Sequence, residues 1–232
     1  MLQHRDALTP SEIELIQALP MRTVAVAPGQ DIVVQGTRPS ESCLVLKGFS
    51  GRSQTLREGQ RQITALHIPG DFVDLHGYLL RVMDHSVVAI GPCEVGFVSH
   101  REIRAMTETT HHLTRMFWLS TLIDGAIQRT WITCLGRRSA EQHMAHLFCE
   151  LYVRLEAAGV ATGNVFDFPM TQMQLGDVLG LSVVHVNRKL QELRASQLLT
   201  WQGGRIAILD LPGLAELAEF DPTYLSLRQE PR

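Results

Sequence analysis

The sequence predicts an α+β protein in three parts: an N-terminal β-roll of short strands, a long helix, and a C-terminal winged helix-turn-helix. Three observations carry that expectation. From Val24 to Gly91 apolar residues alternate with polar ones and glycines recur at short intervals; from about Arg101 to Cys134 the apolar period lengthens to three and four; and after Thr171 a helix, a glycine turn and a second helix are followed by a short hairpin. The expected boundaries are 1–108, 109–136 and 137–232. A chain of 232 residues with 45% apolar content can bury cores for two small domains.

Taken in order, Ser11 and Glu14 form a capping-box pattern that opens a short helix through Ile13, Leu15, Ile16 and Leu19, ended by Pro20. Val24, Val26, Ile32, Val34, Cys43, Val45, Ile63, Ala65 and His67 then sit in alternating runs cut by glycines, the pattern of short strands joined by tight turns in a sandwich or roll. In the helical stretch, Leu113, Met116, Ser120, Ile123, Ile127, Thr130 and Cys134 step by three and four. A stripe of that kind packs either on its own β-roll or on a second copy of the helix. Gly136 is expected to break the helix, and Arg137-Arg138-Ser139 to open the next one.

The C-terminal stretch is the most informative. Thr171 and Gln174 form a capping box, Leu175, Val178 and Leu179 give the first helix one apolar face, Gly180 suits a positive φ, and Ser182 caps the second helix. Val186, Leu190 and Leu193 form a single buried stripe in that second helix. Val184, His185, Asn187, Arg188 and Lys189 are left on or beside its outward face, with Thr171, Gln172 and Ser182 at the two helix starts. Those side chains suit the DNA major groove: Arg can grip a guanine edge with two hydrogen bonds, Asn an adenine edge, and Val can meet a thymine methyl. The runs Leu198 to Trp201 and Arg205 to Ile208, separated by Gln202-Gly203-Gly204, read as the hairpin of a wing.

These residues carry a resemblance. GLSVVHVNRKLQELR from Gly180 and LGRRSAEQHMAHLFCELYVRL from Leu135 are similar to the DNA-binding domain of the Crp/Fnr superfamily of bacterial transcription regulators. PGQDIVVQG from Pro28, LVLKG from Leu44 and IPGDFVDL from Ile68 resemble that family's cyclic-nucleotide-binding-like jelly roll, so the resemblance covers nearly the whole chain. It implies a double-stranded β-roll sensor and a homodimer. The seam Leu113, Met116, Ser120, Ile123, Ile127, Thr130 and Cys134 would then be the dimer contact, and sensing would reposition two readers on a near-palindromic operator in double-stranded DNA. RNA polymerase is a further implied partner.

The resemblance also names an effector pocket at Asp74, His76, His85 and Ser86. Cyclic-nucleotide-binding members hold the ribose with a Gly-Glu pair and the phosphate with an Arg-Ser pair; here Val73-Asp74 and His85-Ser86 stand at those places. A neutral imidazole does not replace the charged fork of Arg, so the sequence argues against cyclic AMP as effector. Iron–sulfur members carry clustered N-terminal cysteines, whereas the first cysteine here is Cys43, which argues against that cofactor too. Ten histidines leave haem or another small ligand as an alternative effector, with His76, His85, His111 and His112 as the candidates. Adjacent His111 and His112 point about 100° apart on a helix, and no metal site is expected from the spacing.

Charge and cysteines narrow the function. The net charge is −3, and residues 137–232 hold nine Lys and Arg against eleven Asp and Glu, so no broad basic surface coats nucleic acid. Between Ser182 and Arg205, however, Arg188, Lys189, Arg194 and Arg205 face only Glu192, a local +3 that suits a small footprint. Cys43, Cys93, Cys134 and Cys149 lie far apart, with neither a disulfide framework nor a zinc knuckle indicated. No stretch approaches the ~18 apolar residues of a membrane span, so a cytoplasmic setting is expected. No catalytic triad or phosphate loop is present, and an enzyme is not expected. A ligand-binding module acting on a protein partner is the other class of function, and the base-reading set at Asn187 and Arg188 argues against it.

Overall fold

The structure, a computed structural model, describes residues 2–230. Its N-terminal half runs through helix α1 (Pro10–Gln17), strands β1 (Arg22–Val26), β2 (Asp31–Val33), β3 (Glu41–Lys47), β4 (Ser50–Thr55) and β5 (Arg61–His67), the single turn α2 (Gly77–Leu80), and strands β6 (Ser86–Ala89) and β7 (Cys93–Ser99). All strand pairs are antiparallel, in a three-stranded sheet β1-β7-β3 and a four-stranded sheet β2-β6-β4-β5. Alternation turns Val33, Cys43, Val45, Val87, Ala89, Cys93 and Val95 inward as the core of the roll. The cap of α1 differs from the expected Ser11: Thr9 accepts from the Glu12 amide, and Glu12 answers at the Thr9 amide, because Pro10 has no amide hydrogen and fits the first helical position.

Helix α3 (His100–Thr109) and the 27-residue α4 (His111–Arg137) follow, then α5 (Ala140–Ala157), β8 (Val165–Asp167), α6 (Gln172–Leu179), α7 (Val183–Ala195), β9 (Leu199–Gln202), β10 (Arg205–Ile208) and α8 (Leu211–Ala218). The single helical stretch expected from Arg101 to Cys134 is therefore two helices, broken at the extended residue Thr110. Gly136 does not end α4 either. The helix runs to Arg137, and Ser139 caps α5 in a capping box with Gln142.

Helix α5 is the axle of the molecule, buried along most of its length. One continuous core joins Phe49, Ile63, Leu66 and Ile90 of the roll to Ile123, Ile127 and Trp131 of α4, to α5, and to Leu175, Val178, Val186, Leu190 and Leu193 of the helix-turn-helix. Polar contacts reinforce it. Arg61 donates to Asp177 of α6 at 2.6 and 2.9 Å, Gln62 to the Val178 carbonyl at 3.0 Å, and Gln174 to the Ile90 carbonyl at 3.2 Å. The reading unit thus rests directly on the β4–β5 hairpin of the roll.

The seam expected to meet a second copy faces its own protomer. Leu113, Met116, Ile123, Ile127 and Cys134 are buried, with Ser120 and Thr130 half-buried beside them; Leu113 packs with Val98, Ile103 and Met106, and Ser120 accepts from Arg5. Both faces of α4 carry apolar residues, and the face that closes the roll is the one already satisfied. On the other face Trp118 (65% exposed), Leu122, Ile132 (68%) and Leu135 stand in solvent.

Candidate functional site

The helix-turn-helix is built by local rules. Thr171 accepts from the Gln174 amide while the Gln174 side chain accepts from the Thr171 amide, satisfying two free N–H groups at the start of α6. Gly180 takes φ +67°, a left-handed conformation that costs glycine little, and Gly180-Leu181-Ser182 turns the chain into α7. Ser182 then accepts from the His185 amide as N-cap. In the wing, Gly203 and Gly204 at φ +57° and +76° form a two-residue turn that sets Arg205 opposite Gln202 and Ile206 opposite Trp201. A third strand not expected from the sequence, β8, pairs on the far side of β10, and its Asp167 binds Arg205 at 2.8 Å. A three-residue strand is too short to leave a periodic signal.

The sequence-selected readers divide. Val184 (79% exposed), Asn187 and Arg188 lie open on α7. Asn187 donates to Gln172 of α6 at 3.4 Å, and Arg188 lies 3.9 Å from Glu192. The His185 ring turns back toward Ser182 at 3.3 Å. Lys189 is half-buried and ion-paired at 2.5 Å to Glu192, the carboxylate that Arg188 also approaches. Gln191, missed from the sequence, and Arg194, counted there only for its charge, complete the surface: they continue the face of Val184 and Asn187 at helical spacing and line a groove of about 200 Å³ between α7 and the wing.

The residues expected at an effector pocket also divide. A cavity of about 440 Å³ opens between the roll and α4, lined by His76 and His85 as expected, but also by Arg52, Gln54, Asp84, Asp124 and Gln128. Asp74 is not in its wall. It is buried under the loop, where Oδ1 accepts from the Cys43 amide at 2.6 Å and Oδ2 has no partner among the described residues; burial raises its carboxyl to about 7. Ser86 accepts from the Gln35 amide and likewise lies outside the cavity wall. Asp74 ties the β5–α2 loop to β3, and Ser86 of β6 holds Gln35 of the β2–β3 loop.

Arg52 supplies the permanent charge that the sequence reading found missing at His85. Its buried guanidinium donates to His85 Nε2 at 3.1 Å, to the Val73 carbonyl at 3.4 Å and to Asp124 of α4 at 2.8 Å. His85 Nδ1 meets Asp84 at 2.7 Å. Burial and Arg52 lower the imidazole of His85 to about 4, and burial lowers that of His76 as well. The signal for Arg52 is weak, since an arginine in an alternating strand ordinarily reads as solvent-facing. The other two histidine candidates are elsewhere: His112 bridges Asp6 and Glu12 at 3.1 and 2.8 Å, and His111 is exposed. The cysteines are all buried, and burial raises their thiols, to about 11 at Cys93 and about 12 at Cys149.

No helix among the described residues is long and apolar enough to cross a membrane. The model of a Crp-like helix-turn-helix domain matches residues 142–217, and that of a cyclic nucleotide-binding domain matches residues 23–110. The chain is 26% identical over 197 residues to the transcriptional activator protein FnrL of Cereibacter sphaeroides, covering 83% of this chain and 79% of that protein. It is 27% identical over 220 residues to the fumarate and nitrate reduction regulatory protein of Vibrio cholerae, covering 91% and 84%. Among solved structures, FixK2 from Bradyrhizobium japonicum shares the fold with a TM-score of 0.73 at 21% identity, over 86% of this chain and 98% of that one.

Proposed function

The chain belongs to the Crp/Fnr family and is a DNA-binding transcription regulator; on that premise we propose that it acts as a cytoplasmic homodimer that reads a near-palindromic operator with two copies of α7 and meets RNA polymerase there. The observation that carries this reading is the open face of α7, where Val184, Asn187 and Arg188 stand exposed beside a wing and no other element among the described residues covers them. A two-fold protein fits a two-fold site.

The dimer contact is the exposed stripe Trp118, Leu122, Ile132 and Leu135, in place of the seam first expected. The cavity beside α4 would sense, and the Arg52–Asp124 pair would carry its state to the dimer helix. Cyclic AMP does not suit this cavity as it stands: the one guanidinium is already held by Asp124, His85 and the Val73 carbonyl, and Asp74 is turned away.

Operator selection from random duplexes followed by mobility shift tests the reading. Arg188→Ala should cost about 1–3 kcal/mol of specific affinity and relax one base position. Unchanged affinity would move base reading off α7. In sedimentation, Trp118→Asp with Ile132→Asp should give folded monomers, whereas Ile123→Asp with Ile127→Asp should unfold the chain. A folded dimer in the first pair would return the contact to another surface.

A further inference from the structure

In the cavity beside α4, one nitrogen from each of His76 and His85 and one carboxylate oxygen of Asp84 lie within 4.8 Å of one another. The two rings are 5.1 Å apart between centroids. Nε2 of His76 is buried and has no hydrogen-bond partner among the described residues. A buried imidazole nitrogen without a partner is costly, and a cation is one of the few groups that two imidazoles and a carboxylate satisfy together.

We propose that His76, Asp84 and His85 bind one divalent first-row transition-metal ion, and that its binding breaks the hydrogen bond from Arg52 to His85. This deepens the sensing role given to the cavity and rests on it only for the effect on DNA. Two imidazoles with one carboxylate favour borderline ions such as Zn²⁺, Fe²⁺ or Co²⁺ over Mg²⁺ and Ca²⁺, which take oxygen ligands. Three protein ligands leave an open position toward the cavity of about 440 Å³. His76 precedes the single turn α2 and Asp84 is 69% exposed at its side chain, so both can close by about an ångström to coordination distance.

Arg52 makes the site a switch. Guanidinium nitrogens only donate, so His85 Nε2 accepts from Arg52 and its proton sits on Nδ1, toward Asp84. An ion taking Nδ1 moves that proton to Nε2, where it opposes the Arg52 N–H. An ion taking Nε2 displaces Arg52 outright. Either way Arg52 loses His85 and is repelled by the new positive charge, with Asp124 of α4 left as its charged partner. The ion and the Arg52–His85 contact exclude each other.

The test uses the full chain after chelation and dialysis, titrated with Zn²⁺ by calorimetry and with Co²⁺ by visible absorption. One ion per chain and the d–d bands of a four- or five-coordinate Co²⁺ are expected. His76→Ala and His85→Ala should each weaken binding by about 100-fold, and Arg52→Gln, which removes the competitor, should strengthen it about tenfold. Thermal melts of each variant separate loss of ligand from loss of fold, and Arg52→Gln reads a gain, which misfolding does not produce. Absent saturable binding, or binding untouched in both histidine variants, overturns the site. Zn²⁺ that binds as described without changing operator affinity in a mobility shift keeps the site and overturns its link to α4, while DNA binding by the metal-free chain leaves the regulator reading standing.

Discussion

Two buried arginines tie the β-roll to the rest of the molecule, and they do so in opposite ways. Arg154 of α5 binds Asp71 at 2.7 Å, Glu150 at 3.1 Å and the Leu66 carbonyl at 3.0 Å. Glu150 is fully buried (0% exposed) and also accepts from Trp131 of α4 at 3.0 Å and from Tyr224 near the C-terminus at 2.7 Å. The Arg154–Glu150 pair is sealed from solvent, while Asp71 is 15% exposed at its side chain and lies with Arg154 in the wall of another cavity, of about 290 Å³. Arg52 is as buried, but its acid partner Asp124 is 33% exposed and its neighbour His85 opens on a cavity. A charge held by a fully buried carboxylate such as Glu150 fastens parts together, whereas a charge held by a third-exposed carboxylate such as Asp124 can exchange partners with an incoming ligand, because water can take up the released charge.

Breaking the sealed node should have the largest effect. Arg154→Met leaves Glu150 and Asp71 as carboxylates without their cation, and about 3–5 kcal/mol of stability should be lost in urea unfolding followed by circular dichroism. A cost equal to that of the Arg52 variant would erase the distinction. The next effect has the opposite sign. Asp74 is buried without a cation of its own, and its carboxyl is raised to about 7. Because the folded chain holds this proton where the unfolded chain releases it, the group is neutral to stability below about pH 4. Its cost grows as pH rises from there to about 7 and stays constant above. Asp74→Asn should therefore stabilise the chain at pH 8, by on the order of 4 kcal/mol, and leave it nearly unchanged at pH 4. Equal melting temperatures of the two proteins at pH 8 would contradict it. Arg52→Gln should cost least, about 1–2 kcal/mol, since Asp124 regains water when its partner goes.

The recognition unit was legible because its instructions are local. Thr171 with Gln174, Gly180, Ser182 and the stripe Val186, Leu190, Leu193 specify two helices and a turn from neighbours a few residues apart, and each stands as read. Lys189, expected on or beside that face, is half-buried and paired to Glu192. The β-roll was legible in its alternation but not in its pocket. His85 was found by its place in a motif; Arg52 and Asp124 come from a strand and a helix distant in the chain and meet only after folding.

By itself the sequence determined the succession of β-roll, helical connection and winged helix-turn-helix, and Val184, Asn187 and Arg188 on its open face, since caps, turn glycines and apolar period act within one or two helical turns. The tertiary structure alone decided which face of α4 is free. Leu113, Met116, Ile123, Ile127 and Cys134 on one side and Trp118, Leu122, Ile132 and Leu135 on the other both recur at helical spacing, and only docking on the roll and α5 shows which stripe has already been buried. It alone decided, too, that a guanidinium stands beside His85, because a charge buried in a strand is tolerated only where distant chain supplies its partners.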